Sequence, residues 1–144
     1  MDVAVRPATA ADDARVAELA ATAIEEQVDA RGGSVWARRE ALARARDGQT
    51  FVGAIDGAVV GFAAVGVEPL ADDAKLGVVY AIYVEPGARE VAVGEALLDA
   101  AIAWCRDAGC IGVDAHALPG NRETKNFFET FGMTARLIVV HKRL

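Results

Sequence analysis

The sequence predicts an α/β (α+β) fold, in which one mixed sheet joins an antiparallel meander to a parallel strand pair and is flanked by about four helices. Three observations support this class. Asp56-Gly57 lies between two β-rich runs, as in a type I′ hairpin. Residues 78–98 pass from a strand pattern through Pro86-Gly87 almost directly into a helix pattern. A further strand pattern at 110–117 then implies a right-handed crossover and parallel pairing.

The first part of the chain predicts one strand and two helices. Residues 3–7 alternate apolar and polar side chains and indicate a short strand. Thr9 is a candidate N-cap with Asp12 three residues on, and helical spacing runs from about residue 10 to Glu25-Glu26. A second helix is predicted from Ser34 to near Gly48.

The remaining elements follow from periodicity and from turn residues. Residues 51–55 and 58–67 form the hairpin, and 78–84 add a third antiparallel strand. The next helix is amphipathic and ends at Gly109. After the strand at 110–117, Asn121 caps a short aromatic helix that Gly132 ends. The last segment, 134–144, contains Leu-Ile-Val-Val and predicts a buried final strand.

Length and composition limit the classes of function. The 144 residues, 53% hydrophobic and 25% charged, indicate a single globular domain over 1–144. A formal net charge of −6 argues against a nucleic-acid partner. No apolar run approaches the roughly 20 residues that span a bilayer, and the first residues lack the layout of a signal peptide, so we expect no membrane partner and a cytoplasmic location. Cys105 and Cys110 lack the companions of a metal site, so no metal is expected and reduced thiols are the better interpretation.

The strand–turn–helix at 78–98 has the layout of an anion site. The first turn of a helix carries backbone N–H groups without intrahelical partners and about half a positive charge. Ala92 and Gly94 are small enough to let a ligand approach the main chain there. A phosphate group is the ligand that this arrangement favours.

Two motifs extend this interpretation. Val84-Glu85-Pro86, Arg89, Ala92, Gly94 and Leu97-Leu98 form a pattern that resembles the phosphate loop of the GNAT superfamily of acyl-CoA-dependent N-acyltransferases. A second set of residues resembles the closing helix of the same family: Asn121, Thr124, Phe127-Phe128, Glu129 and Gly132-Met133. The order of the predicted elements also agrees with this family.

The resemblance implies the fold, the co-substrate and a set of binding residues. The parallel strands would splay apart, and acetyl-CoA would bind as co-substrate in the opening. Its pyrophosphate would lie on the amides of the phosphate loop, and its pantetheine would run beside the central strand. The implied binding residues are Ile82, Tyr83, Val84, Arg89, Glu90, Val91, Ala92, Val93, Gly94 and Asn121.

The chain departs from the family pattern where proton transfer is expected. Phe128 stands where many relatives carry a tyrosine acid, and Val78 and Val79 stand where some carry a carboxylate base. His116 and Tyr80 are the remaining candidates for catalysis, although a surface histidine and a core tyrosine are the alternative interpretations.

Two loop residues also differ from what the pattern would favour. Ala92 replaces a usual glycine, which we expect to be tolerated because a helical φ needs no glycine. Glu90 would bring a carboxylate close to the phosphates, and we expect it to point outward or to pair with Arg89.

These observations predict an N-acyltransferase that transfers an acetyl group to a primary amine by direct attack in a ternary complex. The acceptor is a small-molecule or peptide amine. The alternative is a catalytically inactive module that binds acyl-CoA or mediates protein association, which Phe128 favours. A terminal strand without a following hairpin is also compatible with edge pairing in a homodimer.

Overall fold

Five strands form one mixed sheet in the computed structural model, which describes residues 1–29, 33, 47–89, 92–118 and 122–144. The sheet order follows the chain, every neighbouring pair is antiparallel except the parallel last pair, and the fold class is confirmed. The strands are β1 (Val3–Pro7), β2 (Gln49–Ile55), β3 (Ala58–Pro69), β4 (Lys75–Val84) and β5 (Gly112–Ala115). The described α-helices are α1 (Asp13–Gln27), α2 (Val93–Asp107) and α3 (Arg122–Thr130).

The hairpin between β2 and β3 turns as predicted. Asp56 has a φ of 49° and Gly57 a φ of 87°, so both central residues lie in the positive region that a type I′ turn requires. The two strands then pair from Ile55 opposite Ala58 to Gln49 opposite Val65. This turn therefore sets the register of the first pairs, and a β-bulge between Gly53 and Ala54 shifts it for the rest of the hairpin.

The first helix is also confirmed, and it begins where the sequence predicts. A single 3-10 turn at Ala10–Asp12 leads into α1. The Thr9 amide donates to Asp12 Oδ2 at 2.8 Å, which satisfies a backbone group at the helix entry. Most of the second predicted helix, from Ser34 onward, lies outside the described residues.

Among the described residues, α1 packs on one face of the sheet and α2 on the other. The α1 side chains Val16, Leu19 and Ala23 pack with Phe62 and the neighbouring residues of the sheet. The α2 side packs more tightly, since Leu97 is fully buried and faces two glycines, Gly53 and Gly61. A Cβ built on either glycine would lie 3.3 Å from Leu97 Cδ1, so these glycines let the helix approach the sheet closely.

Glycines end both later helices as predicted. Gly109, with a φ of 82°, follows α2, and Gly132, with a φ of 79°, follows α3. Left-handed residues just past a helix end are typical caps. The cysteines are free: Cys105 is buried in α2, and burial raises the pKa of its thiol to about 11.

Several strand boundaries differ from the sequence prediction, and one predicted strand is absent. β4 begins at Lys75 instead of residue 78, and β5 ends at Ala115, two residues early. The prediction of a final strand is wrong, because residues 134–144 form no strand and are exposed. An apolar run forms a strand only where a neighbour offers a hydrogen-bonding edge, and this segment makes no ladder with the four residues of β5.

Among the described residues, no helix combines the length and the apolar character that crossing a bilayer requires.

Candidate functional site

The site begins where β4 and β5 stop pairing. Their parallel register runs from Leu76 opposite Gly112 to Val79 opposite Ala115. β4 then continues to Val84, whereas β5 has ended, so the last five residues of β4 border an opening. Among the described residues, no other strand pairs with this part of β4.

The backbone of β4 directs polar groups into this opening. Glu85, just after the strand, donates its amide to Val60 O on β3 at 2.9 Å. Because backbone groups of alternate residues point to the same side of a strand, Ile82 and Val84 direct theirs away from β3. Val84 O accepts a hydrogen bond from Arg89 Nε at 2.8 Å, which agrees with this direction.

The predicted phosphate loop follows β4. A 3-10 turn at Pro86–Ala88 leads to Arg89, and α2 begins at Val93 with Gly94 in its first turn. Glu90 and Val91 lie outside the described residues. The first-turn amides of this 15-residue helix have no acceptors within the helix, which begins shortly after the C-terminal end of β4.

The expectation of a helical φ at Ala92 is wrong. Ala92 has a φ of 60° and a ψ of 13°, a left-handed conformation that an L-residue with a Cβ adopts at a cost. Ala92 is the N-cap of α2, directly before its first residue Val93. A glycine adopts this conformation without that cost.

The Arg89 side chain joins three elements of the site, β4, α1 and α3. Besides its bond to Val84 O, one terminal nitrogen lies 3.3 Å from Glu26 Oε1 on α1, and the other lies 4.0 Å from Glu123 Oε2 on α3. The guanidinium carbon also lies 5.5 Å from the ring centre of Tyr83. The side chain of Arg89 is thus directed to carboxylates.

Tyr83 is buried beneath this cluster. Its hydroxyl has no hydrogen-bond partner among the described residues, and burial raises its pKa to about 12, with a further contribution from the Glu26 carboxylate. A buried hydroxyl without a partner is costly. Tyr83 ionises only at strongly alkaline pH and therefore acts as a neutral group near pH 7.

The structure brings Tyr80 and His116 together. Tyr80 is the extra residue of a β-bulge, between Ala81 opposite Ala64 and Val79 opposite Val65. His116 follows β5, and its ring meets the Tyr80 ring edge-on with centroids 6.2 Å apart. Tyr80 is 5% exposed, whereas His116 is exposed. The alternative interpretations, a core tyrosine and a surface histidine, therefore describe correctly where the two residues lie.

A residue that the sequence interpretation missed completes this group. Tyr80 donates its hydroxyl to Glu68 Oε1 on β3 at 3.0 Å. Nothing in the local pattern identifies Glu68, because its contact depends on the bulge that turns Tyr80. A carboxylate in an otherwise apolar strand is the only sequence signal.

The other predicted residues lie beside the loop. Phe127 packs against the α2 entry, where a Cβ built on Gly94 would lie 3.5 Å from its ring. Phe128 is buried in the core on the α2 side and has no hydroxyl. Asn121 lies outside the described residues. In the part of the chain that the structure describes, no three His, Cys, Asp or Glu side chains form a group suited to a metal ion.

Comparison with known structures agrees with this architecture. An acetyltransferase from Trypanosoma brucei is 24% identical, with a TM-score of 0.75, covering 99% of this chain and 100% of that chain. A ribosomal-protein-alanine N-acetyltransferase from Brucella melitensis is 20% identical, with a TM-score of 0.78 and full coverage of both chains. The aminoglycoside N-acetyltransferase AAC(6')-Iy, in complex with CoA, is 19% identical with a TM-score of 0.71, covering 98% and 100%.

No curated protein matches the sequence. The sequence model of the acetyltransferase (GNAT) family, however, matches residues 14–133, which is most of the chain and includes the opening, the loop and the closing helix. The resemblance inferred from the two motifs is confirmed, and the chain belongs to the acetyltransferase (GNAT) family.

Proposed function

We propose that this protein transfers an acetyl group from acetyl-CoA to a primary amine by direct attack in a ternary complex. Acetyl-CoA is the co-substrate of GNAT acetyltransferases. The observation that carries the proposal is the opening beside residues 80–84, which leads from the bulge at Tyr80 to the first turn of α2. Positioning two reactants in such a cleft can supply a large share of the rate.

The co-substrate side of the site uses main-chain groups. The pyrophosphate would bind to amides between Arg89 and Gly94, a range that includes Glu90, Val91, Ala92 and Val93. Pantetheine would run along Ile82, Tyr83 and Val84, and Asn121 would bond to it. The Arg89 side chain already bonds Val84 O and Glu26, so it supports the loop. Its amide donates to Pro86 O at 3.4 Å, which leaves the later amides of the range for the ligand.

The acyl carbonyl would be polarised by a backbone N–H of Ile82 or Val84, since both face away from β3. A fixed donor of this kind stabilises the oxyanion that develops during attack. Because Phe128 has no proton to give, protonation of the leaving thiolate falls to Tyr80 or to water. His116 is exposed beside Tyr80 and can exchange protons with solvent.

The acceptor is proposed to be a small-molecule or peptide amine, and the protein to act as a homodimer in the cytoplasm. The free thiols of Cys105 and Cys110 agree with a reducing compartment. Exposed apolar side chains at Leu137–Val140 favour association with a second copy, because such runs are rare on monomers.

A catalytically inactive module that binds acyl-CoA is the second candidate. The buried Phe128 favours it, since the family's usual acid is absent while its place in the core is kept.

Two measurements test the proposal. Acetyl-CoA at 100 times its Kd should add about 2.7 kcal/mol to the free energy of unfolding, which raises Tm by several degrees. Release of CoA thiol, measured over primary amines of several classes, tests turnover. A thermal shift without turnover favours the inactive module, and no shift contradicts both candidates.

Gly94 offers a matched pair of variants for the binding arm. A Cβ at this position makes only ordinary contacts, and a carboxylate in the first turn of a helix favours folding. Gly94→Asp should therefore fold normally but lose the acetyl-CoA shift, because its charge repels phosphate. Gly94→Asn adds similar volume without charge and should lose much less of the shift.

A further inference from the structure

We infer that Cys105 and Cys110 form a modification site, at which a small disulfide such as oxidised glutathione converts the two thiols into an intramolecular disulfide while the protein stays folded. The pair lies at the end of α2, outside both motifs of the sequence. It is next to the first paired step of β4 and β5, Leu76 opposite Gly112, at the closed end of the strand pair. The inference goes beyond the proposed acyl transfer and does not depend on it.

The first step is the cap that ends α2. The Cys110 amide donates to Cys105 O at 3.0 Å, and the Gly109 amide donates to Arg106 O at 3.0 Å. With the left-handed Gly109, these two bonds form a Schellman motif. In this motif the residue after the cap glycine contacts the third residue from the helix end, and α2 ends at Asp107. Both contacting positions carry a thiol here, so backbone bonds hold the two cysteines side by side.

The second step is the contact between the thiols. Cys110 packs against the core cluster that contains Cys105. Burial, together with the charge of the Cys110 thiol and a hydrogen bond to it, raises the pKa of the Cys105 thiol to about 11. The two sulfur atoms are therefore close enough to act on each other.

The third step is the difference in access between the two thiols. Cys105 is 0% exposed, whereas Cys110 is half-buried. Cys105 Sγ also lies against β4, where a Cβ built on Gly77 would come within 2.3 Å of it. An adduct the size of glutathione has no room at Cys105, so an oxidant reacts with Cys110 first.

The fourth step is the anchoring of this corner of the fold. The Ile111 amide donates to Lys75 O at 2.9 Å, and Lys75 Nζ donates to Ala108 O at 3.3 Å. These bonds join the chain on either side of Cys110 to the first residue of β4. They keep the helix end in place, so the two thiols stay together in the folded protein.

These contacts define a balanced thiol–disulfide exchange. The Cys110 thiolate attacks one sulfur of oxidised glutathione, which forms a mixed disulfide and releases one glutathione thiolate. The Cys105 thiolate then attacks the Cys110 sulfur, the protein disulfide forms and the second glutathione thiolate leaves. Each cysteine proton ends on a released glutathione. Two cysteines are oxidised, and one oxidised glutathione is reduced to two thiols.

Incubation of the full chain with oxidised glutathione tests the pair. We expect the intact mass to fall by two hydrogen atoms and both free thiols to disappear, and dithiothreitol should reverse both changes. Because trypsin cleaves after Arg106, the two cysteines fall in separate peptides, 90–106 and 107–122. A digest of the oxidised protein should contain these two peptides linked to each other.

Two variants separate the two exchange steps. Cys105→Ala removes the buried partner and should stop at the mixed disulfide of Cys110 with glutathione. Cys110→Ser removes the accessible thiol and should leave Cys105 unmodified. The oxidised wild type should melt several degrees above the reduced form, because the cross-link restricts the unfolded chain.

Three results would overturn the inference. The first is a wild type that keeps both thiols or stops at the glutathione adduct, as Cys105→Ala should. The second is a disulfide that joins two molecules, seen as a dimer on a non-reducing gel. The third is an oxidised form that melts at or below the reduced form, which would mean that the fold opens to form the bond. If either variant fails to fold, the peptide map and melting of the wild type still decide.

Discussion

Ala92 carries a backbone conformation that its side chain disfavours. Its φ of 60° is left-handed, which costs an L-residue about 1–2 kcal/mol, whereas glycine adopts it freely. Ala92→Gly recovers this cost but adds freedom to the unfolded chain, so we expect a net gain of about 0.5–1 kcal/mol in the free energy of unfolding. Urea unfolding measures it.

Ala96, one turn into α2, provides the control. Ala96 lies within the helix, and its amide donates a hydrogen bond to Ala92 O at 3.1 Å. Ala96→Gly should lower the free energy of unfolding by about 1 kcal/mol, the usual helix penalty. A loss of stability in Ala92→Gly similar to that in Ala96→Gly would show that Ala92 is not left-handed in solution.

Residue identity predicts chemistry better than geometry at this site. The sequence identifies the loop through Arg89 and Gly94, and the absence of a tyrosine hydroxyl at Phe128. It does not predict the left-handed φ of Ala92, because an alanine by itself favours a right-handed conformation. It also does not predict the bond between Tyr80 and Glu68, since a single bulge decides which way the ring turns.

Between elements, one buried carboxylate joins β1 to the start of α1. Asp12 accepts hydrogen bonds from both terminal nitrogens of Arg6, at 2.7 and 3.0 Å, and from the Thr9 amide. These bonds to Arg6 and then to Thr9 hold the pKa of Asp12 well below its usual range of about 3.9. The folded protein therefore binds fewer protons here than the unfolded chain once the pH falls toward 4.

The lowered pKa of Asp12 in the folded protein predicts how the stability of Asp12→Asn depends on pH. The carboxylate stabilises the fold fully above about pH 5, and that contribution is lost as the pH falls below the unfolded pKa. The variant should be less stable than the wild type at pH 7, and the difference should shrink steadily toward pH 3. Urea unfolding at several pH values measures this. Arg6→Gln should flatten the profile in the same way, whereas parallel profiles for wild type and Asp12→Asn would contradict the assignment.

The contact between α2 and the sheet offers a second test between elements. A Cβ on Gly53 would lie 2.6 Å from Val93 Cγ1, which is too close. Gly53→Ala should therefore cost about 1–3 kcal/mol by overpacking, and Val93→Ala should cost a similar amount by leaving a cavity. In the double variant the new methyl enters the vacated space.

A double-mutant cycle measures the compensation. The double variant should be at least about 1 kcal/mol more stable than the sum of the single losses predicts. Leu97 Cδ1 and Cγ at 3.3 Å limit the recovery, so full restoration is not expected. Additive losses would mean that the helix sits further from β2 than the structure indicates.

Elements with a local cause were predictable from the sequence. The I′ turn at Asp56-Gly57 and the helix ends before Gly109 and Gly132 follow from short-range rules. The parallel pairing of β4 and β5 follows from the helix between them. The prediction of a final strand over residues 134–144 was wrong, because an apolar sequence indicates that a segment favours burial but does not indicate which strand it would pair with.

At the scale of the whole molecule, the C-terminal segment over residues 134–144 is exposed throughout. Arg136 pairs with Asp114 of β5, which anchors the start of the segment beside the last strand. Four apolar side chains then follow in the open, with exposures of 69–89% from Leu137 to Val140. A run of this kind next to a sheet edge favours pairing with another chain.

We therefore expect the protein to dimerise through this run, with the apolar side chains of two copies buried together. Light scattering after size-exclusion chromatography should give twice the 15.1 kDa mass of the chain. Ile138→Lys with Val140→Lys should give a monomer, because burying two ammonium groups opposes association. His141→Lys adds charge just past the run and should leave the dimer intact. A monomeric wild type, or a dimer that survives both lysines, would mean that the run is covered by its own chain, and the acetyl-CoA shift should then be the same in all three proteins.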